Sequence, residues 1–492
     1  MNINQVINNL EKNRFGVLNG FFWLSLIILI RYLLEVFLLG EFFNILGYVQ
    51  FLSGFLSVFL LVCLSITFFS KENVRKVINI VLLFWPLIAL PPILDKFIFN
   101  ISTKYLFLEA ISITKTLSNI LFFKTFLLIP RGVVITFLIS LVLSSFYIWF
   151  KTKSVFRTAY IFFTIYIIEV SNWCFPMFIF NLTTFDVVIN NTFYSLLSII
   201  SFILLMYKYN KKITITLLKN IRPFRTMNFL ILCFIGSFIF LKRTLVPDVV
   251  YEFVIEYFVY ALFSIFFAWQ FGIIINDIYD YEIDSITNKK RPLIKKIISE
   301  RTYKEFAILL LILSILFALP LYLRLNSFLC IILFIFSLYI YSAPPFRFRK
   351  YMFHNAFIGL WSVLAFLSGY FLGIGHINYT LIIILICIFF GLFMGSTIKD
   401  LKDYKGDKKL GIKTIFTVFG FEKGKKISLV LLFVSFLLPS FLFNEIQDIV
   451  FFMLIAGLAN LDFYKKESVE RVFLYYFLVL FYCLLRIKGI LI

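Results

Sequence analysis

The chain has 492 residues, of which 62% are hydrophobic and 15% charged, and its mean hydropathy of +0.98 lies far above that of a water-soluble protein. Many apolar runs reach the roughly 20 residues that cross a bilayer as a helix, and no alternating ten-residue strands appear, which excludes a β-barrel. The net charge of +21 falls mainly in short loops between apolar runs, so it reads as a topological signal meeting anionic lipid and excludes nucleic acid as a partner.

The first sixteen residues are polar and carry Lys12 and Arg14 ahead of a long apolar run, which predicts a retained first transmembrane helix and no signal peptide. Apolar segments follow near 18–39, 43–68, 77–98, 132–150, 158–183 and 187–207. The stretch 102–129 is apolar but interrupted by Lys104, Glu109, Lys115 and Lys124, and is expected to lie in the membrane interface. Six spans then place the basic loops 71–76, 151–157 and 208–225 on one side. Within these spans Arg31 and Glu35 are spaced to pair, and Glu169 and Asn172 form a second polar pair. Residues 1–207 read as a separate transmembrane domain of unknown function, able to bind a protein partner, shape substrate access or carry an activity of its own, followed by a basic cytoplasmic linker over 208–225.

Residues 226–492 read as a second domain of nine spans, near 227–243, 250–275, 304–322, 327–342, 355–374, 379–397, 427–443, 448–462 and 470–487. The fold class is an all-α polytopic bundle of about fifteen spans, six plus nine. Loops after the second, fourth and sixth of the nine are basic, which assigns them to the cytoplasm. The six cysteines are isolated, and His354 and His376 lack acidic neighbours in sequence, so no disulfide framework or zinc site is indicated.

The chain has eleven Asp, and six lie in two short segments that each end an apolar run: Asn276-Asp277-Ile278-Tyr279-Asp280-Tyr281-Glu282-Ile283-Asp284 and Asp400-Leu401-Lys402-Asp403-Tyr404-Lys405-Gly406-Asp407. On a helix Asn276, Asp277, Asp280 and Asp284 share an arc of about 100°, and Asp400, Asp403 and Asp407 one of about 60°. Carboxylates crowded at the membrane edge repel one another. Hard Mg²⁺ binds carboxylate and phosphate oxygens together, so two such faces across a cleft suit a diphosphate. A third segment, Tyr341-Ser342-Ala343-Pro344-Pro345-Phe346-Arg347-Phe348-Arg349-Lys350, falls on the same predicted side. Its prolines stop the helix and project a phenol and guanidinium groups, and Arg347 suits phosphate.

These segments resemble the UbiA superfamily of intramembrane prenyltransferases over about residues 222–492. The first matches N-D-x-x-D-x-x-x-D, followed by Asn288-Lys289-Lys290-Arg291-Pro292-Leu293; the second matches D-x-x-D-x-x-x-D; the Tyr-Ser-Ala-Pro-Pro loop and an Arg222-Pro223 opening also fit. The resemblance implies two Mg²⁺ and a prenyl diphosphate donor. Asn276, Asp280, Asp284, Asp403 and Asp407 would hold metal and diphosphate. Asp277 and Asp400 would assist directly or through water, Asp400 on the metal side and Asp277 on the diphosphate side. Tyr341 and Arg347 would contact the diphosphate, with Arg291 and Lys399 as further contacts. The loop position that the family often fills with Lys is Arg here. The expected activity is Mg²⁺-dependent transfer of a prenyl group to an aromatic or other lipophilic acceptor. The alternative is an ion-coupled transporter or lipid flippase, which calls for acids near the bilayer midplane and broken helices, whereas these Asp lie at helix ends.

Overall fold

A computed structural model describes residues 3–12, 15–39, 43–100, 129–171, 187–243, 248–373, 377–443 and 445–490. The expectations for the 102–129 stretch, Asn172 and His376 therefore fall outside the described residues. Every regular element described is helical, and ten segments are long and apolar enough to cross a membrane by length and composition. The chain divides into two compact units, Met1–Ile215 and Thr216–Ile492.

In the first unit the long helices are Val17–Leu39, Ile45–Ser70, Arg131–Thr152, Val155–Ser171 and Val187–Tyr209. Their cores are leucine, isoleucine and phenylalanine, and polar groups inside are answered locally. Arg31 and Glu35 form the expected ion pair, both buried. Asp95 accepts the Gly132 backbone N–H at 2.6 Å and so caps the Arg131–Thr152 helix. Glu169 accepts a hydrogen bond from Ser140. Glu11 gathers Lys76 at 3.2 Å, Tyr147 at 3.1 Å and Lys151.

The second unit contains, among the described residues, a helix for each of the nine expected spans. They are Pro223–Arg243, Asp248–Tyr279, Glu300–Ala318, Leu325–Ser342, Ala356–Tyr370, Tyr379–Gly395, Phe421–Leu437, Ile446–Lys466 and Val469–Ile490. The third and fourth meet at a 3₁₀ segment, Leu319–Arg324, where Pro320 removes a backbone donor and interrupts the helix. Ser299 and Asn378 cap the third and sixth by accepting backbone N–H groups. The first and fifth helices pack at glycines: a side chain at Gly236 or Gly369 would strike the facing backbone of Phe366 or Cys233. Three short helices, Tyr281–Thr287, Asp400–Lys409 and Ile415–Phe419, cap one end of the bundle.

The unit boundary lies inside the basic segment expected to act as a linker. Lys211–Lys219 is helical, and the residues just beyond it are hydrogen-bonded into the second unit.

Candidate active site

The second helix ends at Tyr279, yet the i→i+4 ladder runs on. Asp280 N–H donates to the Asn276 carbonyl at 2.8 Å and Asp284 N–H to the Asp280 carbonyl at 2.9 Å. Asn276, Asp280 and Asp284 thus stay on one face, and Asn276 donates to Asp280 Oδ2 at 3.0 Å. The second acidic segment forms the Asp400–Lys409 helix after a 3₁₀ turn at Ser396–Lys399. The two acidic helices meet at Gly406, where a Cβ would lie 3.0 Å from Ile283 Cγ2 and 3.1 Å from Thr287 Cγ2. Asn288 stitches them together, donating at 3.0 Å to both Asp284 Oδ1 and Asp403 Oδ1. Its place four residues after Asp284 is the sequence signal for this role.

Four arginines line the cleft around these carboxylates. Arg291 Nε lies 3.4 Å from Asp284 Oδ2. Arg349 is buried, with Nη2 3.2 Å from Asp407 Oδ1 and 3.9 Å from Asp403 Oδ2, and Nε 3.6 Å from Asp280 Oδ2. Arg222 and Arg225 enter from the start of the first helix. Arg225 has no side-chain hydrogen bond or ion pair among the described residues.

Arg349 takes the position in the cleft that sequence assigns to Arg347. Arg347 has φ 43°, donates to the Tyr279 carbonyl at 2.6 Å and lies 3.5 Å from Asp280 Oδ1, outside the cleft lining. The two arginines are two residues apart and both reach Asp280, and the turn at Phe348–Lys350 decides which one lines the cleft.

Asp277, Asp400 and Asp407 also sit behind the cleft. Asp277 has both oxygens engaged by protein donors, and Asp400, expected on the metal side, instead lies against Asn355, which donates to its Oδ2, and the His354 ring. Asp407 is fully buried against Arg349. Burial pushes the Asp284 carboxyl up to about 6; Arg291 and Asn288 oppose the rise and the charges of Asp277 and Asp280 reinforce it.

Among the described residues no three acidic, histidine or cysteine side chains gather into a preformed metal cage. The cleft instead offers hard oxygen donors from both helices, and buried Asp284 Oδ2 accepts no hydrogen bond. Such an open set of oxygens suits Mg²⁺, which keeps several waters and binds through one or two carboxylates plus phosphate oxygens.

Behind the polar cleft lies an apolar chamber of about 210 Å³. Arg222, Arg225, Asn276, Tyr341, Ile398, Lys399 and Val469 line both, so the two are continuous. Tyr341 stands at the junction, its ring 5.0 Å from Trp361 and 5.7 Å from Phe357, and its hydroxyl 3.5 Å from Lys399 Nζ. Trp269, Phe229 and Trp361 line the chamber below. Nothing in the sequence marks Arg225 or these aromatic rings as cavity-facing, because every span here is rich in both apolar and aromatic residues.

A cationic and acidic cleft opening onto an apolar chamber inside a helical bundle suits a molecule with an anionic head and a hydrocarbon tail. Residues 229–471 match the UbiA prenyltransferase family. A digeranylgeranylglyceryl phosphate synthase from Saccharolobus solfataricus is 31% identical over 208 residues, covering 40% of this chain and 71% of the relative. One from Sulfurisphaera tokodaii is 32% identical over 207 residues, covering 41% and 73%. A solved UbiA homologue from Archaeoglobus fulgidus, bound to DMAPP and Mg²⁺, aligns with a TM-score of 0.43 at 21% identity, over 56% of this chain and 99% of its own. The chain belongs to the UbiA prenyltransferase family and is an integral-membrane prenyltransferase.

Proposed function

We propose that the second unit transfers a prenyl group from a prenyl diphosphate to the hydroxyl of a lipophilic acceptor with its own anionic head, on the cytoplasmic face of the membrane. The observation that carries the donor is the continuity of the polar cleft with the apolar chamber through Arg222, Arg225, Tyr341 and Lys399. The chamber is lined along the first helix from Arg225 to Ile239, about 21 Å at 1.5 Å per residue. With C–C bonds near 1.5 Å, an extended geranylgeranyl chain is about 20 Å long, which supports a donor of that length.

Asn276, Asp280, Asp284 and Asp403 would hold Mg²⁺, with two ions expected, and Asp407 acts from behind by holding Arg349. The metal supplies neutralising charge to the departing diphosphate. Arg291 and Arg349 bind the same oxygens and stabilise the negative charge that develops as the allylic C–O bond breaks. The chamber excludes water from the allylic cation, and the faces of Tyr341 and Trp361 favour positive charge beside them. The acceptor oxygen then forms the new C–O bond and releases its proton to the departed diphosphate.

An acceptor bearing phosphate on a glycerol is favoured by the names of the relatives and by Arg225, whose guanidinium is left over once the acidic motifs have taken their partners. Lys399 lies at the same junction. The basic loops on the acidic-motif side support a cytoplasmic site.

The test is diphosphate release by the purified protein with Mg²⁺, geranylgeranyl diphosphate and a prenylated glycerol phosphate, against the C10 and C15 donors and against an uncharged glycerol ether. Release that requires the C20 donor and the phosphate is the expected result. Equal use of the uncharged acceptor removes the role given to Arg225.

A further inference from the structure

Three carboxylates of the acidic motifs turn their backs on the cleft: Asp407, which pairs directly with Arg349, and Asp277 and Asp400. Asp277 and Asp400 are each 1% exposed. Buried carboxylates survive only when paired and hydrogen-bonded, and both are. Asp277 Oδ1 accepts from Arg222 Nη2 at 2.6 Å, and its Oδ2 accepts from Asn220 at 2.7 Å and from Tyr303 at 3.0 Å. Arg291 joins the same hub: Nη1 lies 3.5 Å from Asp277 Oδ1 and donates to Asn220 Oδ1 at 3.0 Å. The opposite edge of that guanidinium is the one 3.4 Å from Asp284 in the cleft.

Asp400 repeats the arrangement on the other helix. Its Oδ2 accepts from Asn355 at 2.8 Å, and its Oδ1 lies 3.3 Å from His354 Nε2. His354 Nε2 is in turn 3.5 Å from Arg349 Nη1, and the rest of that guanidinium reaches the cleft carboxylates Asp280 and Asp403. Asp277 thus meets the far side of Arg291 directly, Asp400 reaches Arg349 only through the His354 ring, and both arginines face the front carboxylates. An arginine has a long flexible stem, and its fork binds phosphate well only when aimed.

We propose that Asp277 and Asp400 are positioning residues that aim Arg291 and Arg349 at the diphosphate, and that neither binds metal. This rests on the reading of the cleft as a diphosphate site. It gives the two motifs a common division of labour, with front carboxylates for the metal and rear carboxylates for the arginines.

The test separates metal from anion. Mn²⁺ binding to the purified full chain is measured by electron paramagnetic resonance, and inorganic pyrophosphate binding in saturating Mn²⁺ by calorimetry. Asp277→Asn and Asp400→Asn are expected to keep Mn²⁺ affinity close to that of the unaltered protein. They should lose pyrophosphate affinity by about tenfold to a hundredfold, the usual effect of losing one well-aimed charged hydrogen bond. Asp403→Asn, in a front carboxylate, should weaken Mn²⁺ binding itself. Tyr303→Phe and His354→Leu disturb the two hubs without touching a carboxylate, should show the same anion-only loss, and decide the matter if the Asn variants do not fold.

Loss of Mn²⁺ affinity in Asp277→Asn or Asp400→Asn like that of Asp403→Asn overturns the proposal, as does unchanged pyrophosphate affinity across the set. Prenyl transfer is scored separately. An unaltered protein that binds both probes but releases no diphosphate from any prenyl donor defeats the functional reading alone, and one that binds no pyrophosphate defeats both.

Discussion

Asp280 and Asp403 belong to different helices, line one cleft and share Arg349 as a neighbour. Replacing either with Ala removes a hard oxygen donor and leaves the arginine charge less balanced. Each change should lower prenyl transfer by at least about a hundredfold, of the order of 3 kcal/mol in transition-state energy. Helical content should be unchanged, since neither carboxylate supports the apolar core; full activity in either variant removes these residues from the metal site. Stripping metal with EDTA should abolish diphosphate release, and added Mg²⁺ should restore it. Arg349→Ala should cost far more activity than Arg347→Ala, because only the former guanidinium lines the cleft. Equal losses, read from kcat/KM for the prenyl diphosphate, would return Arg347 to the role its sequence position suggests. The acidic residues could be found from spacing alone, because three-and-four periodicity is a property of the helix. The choice between Arg347 and Arg349 could not, because it depends on a backbone turn with φ of 43° that no periodicity encodes.

Helices carry the next level of the design. Gly406 allows the Asp400–Lys409 helix to approach Tyr281–Thr287, and a β-branched side chain there would push Ile283 and Thr287 away. Gly406→Val should therefore separate the motifs, weaken Asn288's double bond and cut activity by about tenfold or more, while bundle stability falls by only about 1–3 kcal/mol, as for other overpacked contacts. Activity and thermal midpoint measured together check this; a loss of stability without loss of turnover would show that the helices can part without harm. The nine helices described above for this unit were legible as nine apolar runs, since lipid demands apolarity along any span. The short caps were legible only through their acids. Single cysteines at Ser285, Phe348 and Lys405, in Tyr281–Thr287, the Phe348–Lys350 turn and Asp400–Lys409, should all react from the cytoplasmic side. Labelling of any of them from outside contradicts a common face.

For the molecule as a whole, the motif residues all lie after residue 222, and the second unit begins at Thr216. A chain shortened to start near Tyr207 should insert in the same orientation and bind prenyl diphosphate with Mg²⁺, because the sequence is expected to place an even number of spans before it. A chain starting at Pro223 should bind it more weakly, because Asn220 and Arg222 are lost from the Asp277 hub. Donor binding by the purified proteins distinguishes the two, and a folded longer chain that cannot bind places part of the site in the first 206 residues. The basic segment was legible as a boundary from charge alone, but its bonds to Asp277 were not, since the partners are distant in sequence. That distance has a consequence for biogenesis. Asn220 and Tyr303, which share Asp277, are 83 residues apart. While the ribosome is still making the intervening chain, Arg222 and Asp277 have no complete set of partners. The hub closes only after the start of the third helix has been synthesised, so the first two helices must wait in the membrane with their polar ends near water. The order of synthesis thus makes this corner of the active site a late product of assembly, finished only when three successive helices are side by side.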